Sequence, residues 1–371
     1  MSAPGQSGFN SDRVKIVVAT SVMLTFISYW RAAAIVLNDL ASSAFYACGI
    51  AEQAIGKSAP WFIVGVMLFS FAVRAVYVES CSMFVRGGVY RVVKEALGGT
   101  LAKISVSALM FDYILTGPIS GVSAGQYIVG LLNELFITAD AHGWIPRAVH
   151  QMSNGTPQLN VNWTSAVFAV LVTIYYWWQN TKGIHESSEK ALRVMQITTV
   201  MVVLLLAWAG ITLAKGQFQT VPLPTPDNLK FSPEALGFLK HSFGSQDLAK
   251  MFGVFGILIA FGHSVLAMSG EESLAQVNRE LAHPKLKNLK RAAIVIAIYS
   301  FVFTGLSALL AVMIIPDAVR VPVYKDNLIA GLAMYMWGPQ FLRLVFRAFV
   351  VVVGFLILSG AVNTAIIGSN G

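Results

Sequence analysis

Apolar residues run along this chain in long blocks separated by short polar or basic intervals, and the block lengths decide the elements. Blocks at 61–85, 101–136, 161–178, 191–214, 292–315 and 341–367 approach or exceed the ~20 residues a helix needs to cross hydrocarbon. Two further blocks, 14–55 and 251–276, are equally apolar but carry polar interruptions. The pattern predicts an all-α integral membrane protein with about eight spans. Block 14–55 is too long for one straight helix and is expected in pieces; whether 16–29 extends the first span or forms an extra element stays open. Segment 328–337 is apolar but too short to span. Interval 215–250, with Pro222, Pro224, Pro226 and Pro233, is the longest loop.

The two interrupted blocks carry the candidate chemistry. The first reads Val36-Leu-Asn-Asp-Leu-Ala-Ser-Ser-Ala-Phe-Tyr46. A lone carboxylate in hydrocarbon costs a few kcal/mol, so Asp39 needs a partner, a water-filled cavity or a bound cation. With Ser42, Ser43 and Tyr46 it offers oxygen groups alone, a set suited to a hard cation more than to a soft metal. The alternative is an internal ion pair or a helix-to-helix hydrogen bond. The second block runs from Ile259 to Ser273, where Ser269-Gly270 and two carboxylates, Glu271 and Glu272, interrupt it. Broken helices in corresponding positions of two halves point to a transporter site near the bilayer midplane. The five-span spacing between the breaks fits two inverted repeats, unless Ser269-Gly270 serves only close helix packing. Glu271 and Glu272 are expected toward the cytoplasmic half of the broken helix, one of them pairing with a loop arginine. His263 is a candidate either for proton relay or for a hydrogen-bonded packing contact.

Composition agrees: 56% of residues are hydrophobic and 12% charged, against ~25% charged in soluble domains. Cys48 and Cys81 lie in apolar segments and read as small hydrophobes, not as a disulfide or a metal site. The net charge of +8 invites a nucleic-acid reading. Its distribution argues otherwise: Arg86, Arg91 and Lys94, then Lys182 and Lys190, then Arg279, Lys285, Lys287, Lys290 and Arg291 fill every second connection. The alternate ones hold Lys57, Arg147, and Arg320 with Lys325. The positive-inside bias therefore places the N-terminus, residues 1–13, in the cytoplasm of a multi-pass cell-membrane protein. Arg13 and Lys15 precede an apolar run with no small-residue cleavage site, so no cleavable signal peptide is read. Asn154-Gly-Thr156 and Asn162-Trp-Thr164 match the glycosylation pattern, but such short matches arise by chance. No nucleotide loop, nucleophile elbow or metal-ligand cluster is found. The reading is a transporter, not an enzyme, with no cofactor and with an ion gradient, of protons or sodium, as its energy source. Its expected partners are a small cation or small-molecule substrate and the lipid bilayer, with no nucleic acid; a homodimer is left open.

Several motifs resemble one superfamily. Ser269-Gly-Glu-Glu272, Asn278-Arg-Glu280 and Pro284-Lys285 are similar to the sixth-helix signature of the amino acid–polyamine–organocation (APC) superfamily. Asn180-Thr-Lys-Gly-Ile-His-Glu-Ser187 and Gly87-Gly-Val-Tyr90 with Lys94-Glu95 resemble its loops. The resemblance implies the LeuT-type fold of 5+5 inverted repeats. The first repeat (TM1–TM5) would occupy 14–214, an extracellular or periplasmic loop 215–250, and an incomplete second repeat (TM6–TM8) 251–371, truncated after about the eighth helix. Amino acid permeases of this superfamily usually carry a glycine-rich first break, and this chain has no glycine between Val36 and Ala47. Its Asp39–Tyr46 element instead resembles KimA-type and KUP-type potassium transporters. So does Asp112-Tyr-Ile-Leu-Thr116, whose Asp and Thr lie one turn apart on one face, and Ser269 falls where those transporters have a hydroxyl. That resemblance implies potassium uptake coupled to protons, with Asp39 and Asp112 as potassium ligands, Asp112 and Glu272 as candidates for proton coupling, and Ser42, Ser43, Tyr46, Thr116, Ser269 and Gly270 around them. The alternative is an amino acid or polyamine permease, in which Asp39 or Asp112 holds a substrate ammonium.

Overall fold

The computed structural model describes residues 26–84, 89–144, 157–181, 188–235, 237 and 253–369. The N-terminal tail, the start of the first block, Arg86, Gly87, Arg147, Asn154-Gly-Thr156, Lys182 to Ser187, and most of 236–250 lie outside the described residues.

The first span is indeed built in pieces: α1 (Tyr29–Leu40), a 3₁₀ turn (Ala41–Phe45) and α2 (Ala47–Ile55). Ser28 caps α1, its hydroxyl accepting the Arg31 N–H at 3.4 Å, which satisfies one of the free donors at a helix start. Helix α3 (Ala59–Met83) begins with proline at its first turn, where the missing N–H costs nothing. A short helix, α4 (Val89–Leu97), leads into α5 (Gly99–Ala141), which is 43 residues long and contains Pro118. Helices α6 (Val161–Thr181) and α7 (Ser188–Ala214) follow. The sixth block is broken into α8 (Val254–Ser264), a 3₁₀ turn (Val265–Met268) and α9 (Ser273–Val277). The seventh comprises α10 (Lys285–Ser300), a π-helical turn (Phe301–Leu306) and α11 (Ser307–Ile314). Two short helices, α12 (Asp317–Tyr324) and α13 (Leu328–Tyr335), precede the long α14 (Gln340–Ser369).

Among the described residues, five stretches are long and apolar enough to cross a membrane: Tyr29–Ile55, Ala59–Met83, Glu189–Ala214, Lys285–Ile314 and Gln340–Ser369. The eight-span expectation is thus met by length and apolarity in five cases. The sixth block is split into pieces each too short to qualify, α6 is diluted by its tyrosines, tryptophans and asparagines, and α5 by its polar residues. Helix α12 was not foreseen; its Arg320, Pro322 and Asp317 made the segment read as loop. Among the described residues no β-strand forms, only one parallel bridge between Ile27 and Leu281.

The broken first span is the core of the molecule. In its best 18-residue window 83% of residues are buried, against 33% for α3 and for α7. Lipid tails are as apolar as leucine, so close packing and polar contacts hold such helices together. Ala32, Ala33 and Ala34 are fully buried and keep α1 close to its neighbours. Helix α5 crosses α6 at Gly125, where a methyl group would lie 2.6 Å from the Ser165 Cα. On α14, Gly354 leaves room for the Phe45 ring, which stacks edge-on against both Tyr127 and Phe303.

Candidate functional site

The two breaks face and touch each other. At the first, Ser43 Oγ donates to the Leu40 carbonyl at 2.7 Å and also approaches the Ala267 carbonyl, on the sixth block, at 2.7 Å. A serine that bonds the backbone in this way competes with the regular ladder, and the chain leaves α-geometry over Ala41–Tyr46. At the second, Ser269 is extended and Gly270 adopts φ +99°, a conformation open to glycine at little cost. The spacing matters as much as the angle. A Cβ on Gly270 would lie 2.9 Å from Asp39 Cγ and 2.9 Å from the Leu40 nitrogen.

Ser273 Oγ donates to Asp39 Oδ2 at 3.0 Å, fixing that carboxylate between the two halves. Thr116 and Ser269 bring their hydroxyls to 3.3 Å, so α5 joins the same site. The Tyr46 phenol stands among the hydroxyls of Ser42 and Ser120 and in the field of Asp39 and Asp112. Ser42 Oγ, Ser120 Oγ and Asn38 Oδ1 are buried without a hydrogen-bond partner among the described residues. Asp112, by contrast, is half-buried and reaches the group through its field on Asp39 and Glu272. The structure therefore gathers Asp39, Ser42, Ser43, Tyr46, Thr116, Ser269 and Gly270 at the facing breaks, with Asp112 a turn from Thr116 at the margin.

The charge balance is uneven. Glu271, 2% exposed, receives two hydrogen bonds from Arg74 of α3, at 2.7 Å from Nε and 2.5 Å from Nη2. Arg74 Nη2 also donates to Ser300 Oγ at 2.8 Å. The glutamate of this block that finds an arginine thus finds it inside a span and not in a loop, which corrects the expectation. Asp39 and Glu272 are 3% and 8% exposed, and the ion pairs of the described residues involve neither. Two buried carboxylates without a basic partner need protons, a cation or a substrate's ammonium to neutralise them. Among the described residues no cluster of three or more His, Cys, Asp or Glu side chains gathers as metal ligands.

Beside Tyr46 a cleft of about 300 Å³ opens between α2, α5 and the α12–α13 connection, lined by Ile50, Ser123, Gln126, Lys325 and Asp326 among others. His263 Nε2 donates to the Ala235 carbonyl at 2.9 Å, the packing alternative. Sequence reasoning passed over Ser273, Ser120 and Arg74. The first two are serines with no local signature, but Arg74 was findable: an ionisable residue inside an apolar block marks a functional or paired position.

An apolar chain, all-helical among the described residues, with opposed helix breaks around buried carboxylates and hydroxyls has the form of an integral membrane permease. The chain belongs to the amino acid permease family, whose sequence model matches residues 27–371. None of the curated proteins compared with it matches. The family match agrees with the APC-superfamily reading and favours its amino acid alternative. It gives no support to the closer likeness to potassium transporters, which rested on a carboxylate and hydroxyls that serve an ammonium as readily as a metal ion.

Proposed function

We propose that this chain is a secondary active permease that carries an amino acid or a closely related amine across the cell membrane. The observation behind the reading is the pair of buried, unpaired carboxylates, Asp39 and Glu272, at two touching helix breaks. In this reading the substrate ammonium docks on Asp39, and the unengaged hydroxyls of Ser42 and Ser120, with Tyr46, take its carboxylate. That assignment answers the lack of glycine between Val36 and Ala47: side-chain hydroxyls replace the bare backbone amides of a glycine-rich break. Thr116 and Ser269 close the site from α5 and the sixth block.

The fold we infer is the LeuT-type 5+5 inverted repeat, with the first repeat beginning at α1 and the second at α8, and with the N-terminus in the cytoplasm. The breaks then lie near the midplane, and the helices carrying them rock against the rest to expose the site to each side in turn. Glu272, with Asp112 nearby, is our candidate for the coupled proton: neutralised while the site is empty, charged when an ammonium arrives. The experiment is uptake of a panel of amino acids and amines by the full-length protein in vesicles, with and without an inward proton gradient. Saturable uptake that Asp39→Asn reduces by about 10- to 100-fold, the loss of one charged hydrogen bond, supports the assignment. Uptake indifferent to Asp39→Asn removes it.

A further inference from the structure

The outer half of the first span, α2, is tied down by a second charge cluster that the substrate site does not use. Glu52 lies on α2 and is 6% exposed. Arg320 of α12, 2% exposed, donates to both of its carboxylate oxygens, from Nε at 2.8 and 3.0 Å and from Nη2 at 2.7 Å. The same guanidinium uses Nη1 to reach the Ile315 carbonyl at the end of α11 (2.9 Å) and the Asp317 carboxylate (2.6 Å). Asp317 in turn accepts from Lys57 Nζ at 2.9 Å, and Lys57 also donates to Gln219 at 3.0 Å. Burial works against charge on Asp317, but the Lys57 and Arg320 hydrogen bonds outweigh it and hold its carboxyl below the usual range. Three residues before Glu52, Gly49 lies against the Lys325 backbone so closely that a Cβ would overlap the carbonyl oxygen.

Helix α2 begins directly after the Ala41–Phe45 turn, the one irregular stretch of the span and its natural hinge. Tyr46, which precedes the first residue of α2, and Ile50 in its first turn form one wall of the cleft whose opposite rim is Lys325 and Asp326. Among the described residues the Gly49 contact and the Glu52–Arg320 pair join the body of α2 to that rim and to α12, while its C-terminal end is held by the Lys57–Asp317 bridge and by backbone bonds from Lys230 and Ser232 to the Ile55 and Ala54 carbonyls. Arginine's planar fork matches a carboxylate in two bonds at once, which makes such a pair directional and all-or-none in geometry.

We propose that Glu52 and Arg320 are positioning residues that latch α2 against α12, and that release of this latch lets α2 swing about the Ala41–Phe45 turn and widen the cleft leading to the substrate site. The latch rests on the permease reading for its purpose, but its geometry and its test do not. Cys48 is the built-in reporter: it is 4% exposed and its thiol lies against the Ala308 carbonyl at 3.9 Å, so it is covered as long as α2 stays seated.

The test measures the rate at which a membrane-impermeant methanethiosulfonate modifies Cys48 in the full-length protein, with Cys81→Ser to leave one thiol among the described residues. Glu52→Gln keeps the shape of the carboxylate and removes its charge, and should raise the rate about tenfold or more by shifting α2 toward the released position. Arg320→Lys retains the charge but loses the fork; it should give an intermediate rate, and it keeps the test decisive should the first variant fail to fold. The double variant Glu52→Gln with Arg320→Gln, a neutral hydrogen-bonding pair, should return part of the protection, which mere damage to packing would not do. A rate unchanged from the Cys81→Ser parent in folded Glu52→Gln or Arg320→Lys protein overturns the latch. Amino acid uptake by the Cys81→Ser parent, in which the latch is intact, separates the two claims, since a labelling change in the variants together with no uptake by the parent sustains the latch and sinks the permease assignment.

Discussion

At the residue scale the account rests on which carboxylates are balanced. Glu271 has Arg74, and breaking that pair leaves an uncompensated charge in a buried position. Removal of one partner from such a pair typically costs about 3–5 kcal/mol. Arg74→Met is therefore expected to lower thermal stability in detergent far more than the paired replacement Arg74→Met with Glu271→Met, and comparing the two melting temperatures checks it. Asp39 differs because its protein partner is a neutral hydroxyl, Ser273. Ser273→Ala should weaken substrate affinity severalfold by removing one neutral hydrogen bond of about 1 kcal/mol, while Asp39→Asn should abolish most of it. A binding assay that ranks the two the other way would mean that Ser273, not the carboxylate, meets the substrate. Asp39, Ser42, Ser43 and Tyr46 were legible in the sequence because polar groups inside an apolar block are conspicuous. Ser273 was not, since a serine after two glutamates at the end of a block looks like the start of a loop.

At the element scale the breaks and the crossings follow different rules. Gly270 combines a left-handed φ with contact to Asp39 and Leu40, so Gly270→Ala carries both backbone strain and a clash that pushes the two half-sites apart. Binding should fall sharply even though no side chain is lost, and retained binding would show that the breaks need not touch. Gly125→Ala tests packing alone: its methyl group meets Ser165 backbone at 2.6 Å, and overpacking of that kind costs about 1–3 kcal/mol. Stability should drop with the affinity of the surviving folded protein nearly unchanged. Block lengths announced the five stretches of the described residues that are long and apolar enough to cross a membrane, and the helix-breaking glycine and serines announced where two of the blocks are interrupted. Helix α12 escaped notice because it is short, carries Pro322 and depends on Arg320 reaching Glu52, a partner 268 residues away in the chain. Contacts of that separation leave no local periodicity to read.

At the scale of the whole molecule, the apolar composition points to membrane insertion, and the family match favours the amine where the motifs alone left the choice between a metal ion and an amine open. The reason for the ambiguity is physical: potassium and an alkylammonium carry the same charge and both accept carboxylate and hydroxyl oxygen as partners. If Glu272 takes the coupled proton, uptake against a concentration difference should stop when a protonophore collapses the gradient, while Glu272→Gln should leave exchange of internal for external substrate intact. Uphill uptake that survives the protonophore but requires sodium would put the coupling elsewhere. The most direct measurement is parallel uptake of labelled amino acids and of rubidium, a potassium surrogate, by the full-length protein in the same vesicles, each with wild type and Asp39→Asn. The account predicts saturable amino acid uptake that Asp39→Asn lowers by about 10- to 100-fold, with no rubidium signal above empty vesicles; Asp39-dependent rubidium uptake with no amino acid transport would contradict it.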